Sequence, residues 1–124
     1  MKLSKVVTAK QLADAIVDGM QDKKGLNIVV MDMRKVRGAI TDYFVICSGT
    51  SDKHVQALSD TVWEEARVKL NDKPINIEGR TKGEWILMDY VNVVVHVFLE
   101  EKRRFYDIES LWADAVTAHI PQSW

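Results

Sequence analysis

Cysteine is almost absent from this chain: Cys47 is the only one in 124 residues. No internal disulfide can form, and a lone thiol inside an apolar run reads as a small core residue in a reducing compartment. Excess charge is missing as well. Lys and Arg number 17 and Asp and Glu 18, giving a formal net charge of −1. No domain-wide basic field therefore exists to hold nucleic acid by phosphate neutralisation, which leaves only a local basic patch for such contact. Every apolar run is interrupted well before the roughly 18 residues that a membrane-spanning helix requires. The opening Met1-Lys2-Leu3-Ser4-Lys5-Val6-Val7 carries charge without the apolar stretch of a secretion signal. These absences predict a cytoplasmic protein that does not engage membranes. The two prolines, Pro74 and Pro121, fall where elements are expected to stop.

What is present is a foldable core. Apolar residues make up 47% of the chain and charged ones 28%, a balance that supports one ordinary domain rather than a disordered chain. Thr8 followed by Gln11 has capping-box spacing, and Leu12, Ile16 and Met20 recur every fourth residue, so a helix is predicted over 8–24, with Gly25 ending it. Asn27 to Met33 reads as a strand and 34–41 as a loop. Tyr43-Phe44-Val45-Ile46-Cys47 is continuously apolar and reads as a strand covered on both faces. Ser48-Gly49-Thr50-Ser51 stops it and caps a second helix, whose stripe is Val55, Leu58, Val62, Ala66 and Leu70. A weak strand at 75–77, strands at 85–89 and 93–99, and a helix from Glu100 to Trp112 complete the order α-β-β-α-β-β-β-α. The predicted fold is an α/β domain over 1–116: a mixed five-stranded sheet with flanking helices, hairpins giving antiparallel pairs and the central helix a crossover. Residues 117–124 have no period and are expected to be a partly disordered tail.

No catalytic set emerges. Gly49-Thr50-Ser51 at a strand-to-helix turn offers an anion the free N–H groups of a helix start, but it lacks the lysine and length of a phosphate loop; a tight turn with a capping hydroxyl is the simpler reading. Such a turn on a mixed sheet evokes nucleotidyltransferases, which clamp metal with two carboxylates spaced two apart. Here Asp89 is followed only by Tyr90-Val91-Asn92, and Asp32 has Arg34 at the partner position. His54, His96 and His119 lack metal-ligand spacing. A triad from Ser59 or Ser110 has no nucleophile elbow behind it. Alternation places Val93, Val95, Val97 and Leu99 on one sheet face and Val94, His96 and Phe98 on the other, so His96 needs a hydrogen-bond partner, expected from a carboxylate or a turn. On a continuous C-terminal helix Phe105, Ile108, Leu111 or Trp112, and Ala115 form the inward stripe, while Arg103 and Tyr106 face outward. An exposed Tyr beside an Arg marks a contact surface, which Trp85 would reach from its strand. Lys102-Arg103-Arg104 is flanked by Glu100, Glu101, Asp107 and Glu109, so the run also reads as a mixed-charge solvated face.

The combination Thr41-Asp42-Tyr43-Phe44-Val45-Ile46-Cys47-Ser48-Gly49-Thr50-Ser51, His54-Val55, Glu78-Gly79, Trp85, Asp89, Val94-Val95-His96-Val97-Phe98, Glu101, Arg103 to Glu109 and Leu111-Trp112 resembles the ribosomal silencing factor family, also called RsfS or Iojap. The resemblance covers about residues 41 to 112. It implies a non-catalytic factor without a cofactor, of nucleotidyltransferase-like fold but without that fold's catalytic carboxylates. Such a factor binds the large ribosomal subunit through ribosomal protein L-fourteen and blocks joining of the small subunit, repressing translation. The resemblance also implies a homodimer when free, and it maps the partner contact onto Trp85, Arg103, Arg104 and Tyr106. Gly49, Thr50, Ser51, His54, Asp89, His96 and Trp112 are then motif and structural positions, and nucleic-acid contact is secondary. The chain departs from the pattern after Asp89, where relatives carry Gly and an acid and this chain has Val91 and Asn92, which leaves the turn type open. The competing reading is a degenerate nucleotidyltransferase-like enzyme binding a nucleotide at Gly49-Thr50-Ser51.

Overall fold

The computed structural model describes residues 7–122. In chain order its elements are α1 (Ala9–Asp22), β1 (Leu26–Asp32), β2 (Tyr43–Gly49), α2 (Asp52–Leu70), β3 (Asn76–Glu78), β4 (Trp85–Asp89), β5 (Val93–Leu99), α3 (Glu100–Tyr106), α4 (Ile108–Leu111) and β6 (Val116–His119). Both long helices start on side-chain caps. Thr8 Oγ1 accepts from the Gln11 amide while Gln11 Oε1 accepts from the Thr8 amide, each at 3.0 Å. Ser51 Oγ accepts from the His54 amide at 3.1 Å. The end of α1 differs in detail from expectation. Lys24 takes the left-handed turn at φ 59°, and Gly25 serves close packing instead. A Cβ there would lie 3.1–3.2 Å from Met20 O, Cys47 Sγ and Leu58 Cδ2.

The sheet runs β3-β4-β5-β2-β1-β6. β2 and β5 are parallel at its centre, and the other neighbours are antiparallel. A parallel pair needs a crossover, and α2 carries the chain from β2 to the far edge at β3. The sheet has six strands rather than the expected five. The additional one, β6, lies mostly in the segment read as a tail, and pairs with β1 from Val29↔His119 to Asp32↔Val116. Four residues with the burial of an edge strand have too little pattern to announce a strand, yet they cover an otherwise open β1 edge.

The two sheet faces are treated differently. α1 and α2 pack on one, burying Leu12, Ile16, Met20, Val55, Leu58 and Val62 against Val45, Cys47, Val95 and Val97. The thiol of Cys47 is pushed up to about 12 by that burial, so it stays protonated. On the other face Val29, Met31, Met33, Ile46, Phe98 and Ile108 form a smaller core. Among the described residues it is closed by α3, α4 and residues of the 34–41 loop, and Leu87 and Asp89 of β4 line a groove beside it.

The C-terminal helix is broken, contrary to the continuous helix expected. Asp107 sits at φ 44° between α3 and α4. The break resets the rotational phase. Ile108 is buried and Trp112 and Ala115 pack inward as predicted, but Phe105 and Leu111, assigned to the inward stripe, are 78% and 75% exposed. The turn after Asp89 is also settled. The Asn92 amide donates to Tyr90 O at 2.9 Å around Val91 at φ 74°, and Asp89 Oδ1 takes the Val91 amide at 2.8 Å. A β-branched residue at positive φ is strained, which is why glycine suits this turn.

Candidate protein contact surface

The sheet face that carries α3 and α4 holds a run of aromatic rings. Trp85 opens β4, opposite Phe98 of β5. The loop before it folds back closely enough that a Cβ at Gly79, itself at φ 83°, would fall on the Trp85 carbonyl oxygen. The Trp85 ring stacks on Phe98 at 4.9 Å between centroids and meets Tyr106 at 4.7 Å. Tyr106 in turn is 5.1 Å from Phe105. On the inner side His96 lies 4.8 Å from Phe44, and Phe44 is 6.1 Å from Trp112. Four predicted positions, Trp85, Tyr106, His96 and Trp112, thus share one face, and Phe105 touches the group through its neighbour Tyr106. Tyr106 is 46% exposed and Trp85 half-buried. Beside them a groove of about 430 Å³ is lined by Met33, Phe44, Leu87, Val94, His96 and Trp112, with Ile40 almost fully exposed at its rim.

His96 finds a partner that the sequence reading did not name. The Trp85 indole Nε1–H donates to His96 Nδ1 at 3.1 Å, in place of the expected carboxylate or turn. The imidazole is 4% exposed, and burial pushes its pKa down to about 4. A bare Nδ1 places the ring proton of the neutral form on Nε2, which has no hydrogen-bond partner among the described residues.

Arg103 does not face outward. Its side chain is 11% exposed. Nε and Nη2 donate to the two Glu109 oxygens at 2.9 and 3.2 Å, and Nη1 donates to Asn27 O at 2.7 Å and Ser48 Oγ at 3.1 Å. The Asn27 carbonyl is available because the β1–β2 register shifts between Leu26 and Val29, with Asn27 at φ 50°. One guanidinium therefore ties α3, α4, β1 and β2 together. The adjacent Arg103 and Arg104 were expected to contribute to one contact surface, but the break at Asp107 brings Glu109 back over Arg103. Arg104 is exposed and makes no ion pair among the described residues. Lys102 reaches Glu84 only at 3.7 Å.

The turn at Gly49-Thr50-Ser51 is occupied by its own neighbours. His54 Nδ1 accepts from the Thr50 amide at 3.0 Å and its Nε2 bonds Lys23 O at 2.9 Å, while Ser51 Oγ is the α2 cap. A Cβ on Gly49 would meet Val55 Cγ2 at 2.9 Å, so this glycine packs the strand against the helix. Asp32 is held by Arg34 through bonds of 3.0 and 2.7 Å, which keeps its carboxyl at about 2. A cation thus sits where a second metal-binding carboxylate would be needed. Among the described residues no three His, Cys, Asp or Glu side chains converge as metal ligands, and no helix is long and apolar enough to cross a membrane.

This architecture is shared with known proteins. A family model described as ribosomal silencing factor during starvation matches residues 6–123, a span that includes β6. A ribosomal silencing factor RsfS of Halalkalibacterium halodurans is 34% identical over 114 residues, covering 90% of this chain and 93% of that protein. The mouse protein named mitochondrial assembly of ribosomal large subunit protein 1 is 32% identical over 86% of this chain and 47% of its own length. A crystal structure of a Chromobacterium violaceum protein superposes with a TM-score of 0.81 at 28% identity, covering 94% of this chain and 97% of that one. The names in this group denote silencing and assembly factors of the ribosome rather than enzymes. With a family model spanning nearly its whole length, the chain belongs to the ribosomal silencing factor (RsfS/Iojap) family.

Proposed function

We propose that this protein binds the large ribosomal subunit through ribosomal protein L-fourteen, sterically blocks joining of the small subunit and so represses translation in the cytoplasm. The observation that carries the reading is the Trp85–Tyr106 pair: two large aromatic side chains, one from β4 and one from the end of α3, held at 4.7 Å with Tyr106 46% exposed and Trp85 half-buried. Aromatic anchors on a preformed surface are the residues that dominate protein–protein binding. Arg104 supplies exposed positive charge at the rim, whereas Arg103 supports the surface from beneath. The same apolar face is free for a second copy, so a homodimer when unbound belongs to the proposal, and ribosomal RNA contact is secondary. Sedimentation of purified subunits tests it. Added in several-fold excess, the protein is expected to travel with the large subunit and to reduce formation of whole ribosomes. Normal association of subunits without co-sedimentation would refute it. Replacing Trp85 or Tyr106 with Ala is expected to weaken binding by roughly 2 kcal/mol each.

A further inference from the structure

We propose that His96 is the positioning residue of this surface: its Nδ1 holds the Trp85 indole in the single ring orientation that is presented beside Tyr106. The inference deepens the reading above and rests on Trp85 being a contact residue.

The Trp85 ring touches Phe98 at 4.9 Å and Tyr106 at 4.7 Å. A half-turn about Cβ–Cγ would swing both its six-membered ring and its N–H to the other side, so packing and the polar contact act together to select one orientation. The polar part of that selection is the position of the indole N–H. In the observed one it points inward to His96 Nδ1 at 3.1 Å. In the other the N–H loses that acceptor and His96 Nδ1 loses its donor, leaving buried polar atoms unpaired. Cross-strand register makes the reach possible. Trp85 is opposite Phe98 and Leu87 opposite His96, so Trp85 and His96 are diagonal neighbours on one face.

His96 is itself well fixed. Its ring is met by Phe44 at 4.8 Å and 70° and lies nearly parallel to Phe98 at 6.1 Å. The acceptor exists only while Nδ1 is bare: the burial that drives the pKa down to about 4 keeps the ring neutral at neutral pH, and the Trp85 N–H selects the tautomer protonated on Nε2. Among the described residues the hydrogen bond that the imidazole makes is the one from the Trp85 indole to its Nδ1.

The test uses the full chain, isotope-labelled, and purified large subunits. In the unmodified protein at neutral pH, nitrogen spectra of His96 are expected to show the proton on Nε2 and a bare Nδ1; a proton on Nδ1 would overturn the proposal without any variant. His96→Phe is expected to lower affinity for the large subunit about fivefold, the scale of one lost hydrogen bond. His96→Asn, whose Oδ1 can stand near the position of Nδ1, is expected to recover most of that loss. In a Trp85→Phe background His96→Phe should add nothing further. An equal loss in both backgrounds would mean that His96 acts by packing, and would overturn the proposal. If His96→Phe binds normally while Trp85→Ala does not, the proposal fails and the functional reading stands. If Trp85→Ala binds normally, both fail.

Discussion

Arg103 and Arg104 are adjacent in sequence, yet one is a structural clamp and the other a free surface charge. The Arg103–Glu109 pair is only 11% and 29% exposed, and removing one partner of a mostly buried pair leaves the other poorly solvated. Allowing for the partial exposure of Glu109, Arg103→Gln is expected to cost about 2 kcal/mol, read as a clear drop in Tm. Arg104→Gln should stay within about 0.5 kcal/mol of the unmodified protein. Equal effects on stability would show that the clamp is not formed. His96 gives a second prediction at this scale, in pH dependence. Its folded pKa of about 4 lies below the unfolded value near 6.5. The unfolded chain therefore takes up a proton first. The stability associated with neutral His96 is complete above about pH 6.5 and is lost as pH falls towards 4, to a total on the order of 3 kcal/mol. Denaturation at pH 7 and pH 5 should show about 2 kcal/mol of this loss in the native chain and a smaller one in His96→Asn. Asp32, held at about 2 by Arg34, contributes in full above its ordinary value and loses that contribution only as pH falls from there through 2, below the window in which His96 acts.

At the scale of elements, β6 is the part of the fold with an untested energetic role. It covers Ile28-Val29-Val30-Met31, which would otherwise form an apolar edge beside solvent. Ending the chain after Ala115 is expected to lower Tm and to promote association, measured by light scattering, while the amides of β1 lose protection from hydrogen exchange. Unchanged Tm and exchange would show that β6 is dispensable. How much was legible in the sequence follows from the same physics. α1 and α2 announced themselves through caps and four-residue periods, and β2 and β5 through apolar runs and alternation, because each presents a long regular face to the core. β6 has four residues and only one alternation to show. The split between α3 and α4 depends on one left-handed residue, Asp107, in a stretch whose composition suits a continuous helix, so residues before and after it do not share one phase, and Phe105, Leu111 and Arg103 do not sit where a single helix would place them. Trp85 and Tyr106 could be picked out by residue type and by the family pattern. The Trp85–His96 bond could not, because it depends on cross-strand register that no local pattern encodes.

At the scale of the whole molecule, the balance of 17 cationic against 18 anionic side chains predicts how binding should respond to salt. A protein that grips rRNA through phosphates releases counterions, and with 6–10 phosphate contacts it loses about 10³ to 10⁵ in affinity between 50 and 200 mM salt. This chain has no field of that kind. Its candidate surface is aromatic, and among the basic residues of its α3 rim Arg103 is already committed to Glu109, Asn27 and Ser48, which leaves Arg104 and Lys102 for long-range attraction. Two such charges would account for a change of about tenfold over the same range. Affinity for large subunits, measured at 50 and 200 mM salt, is therefore expected to fall by no more than about tenfold, and Arg104→Gln should flatten the slope while leaving most of the affinity. Tyr106→Ala should do the reverse, lowering affinity at both salt concentrations with the slope unchanged. A steep salt dependence that survives in Arg104→Gln would place the dominant contact on RNA through another part of the surface, and would remove the aromatic face from its proposed role.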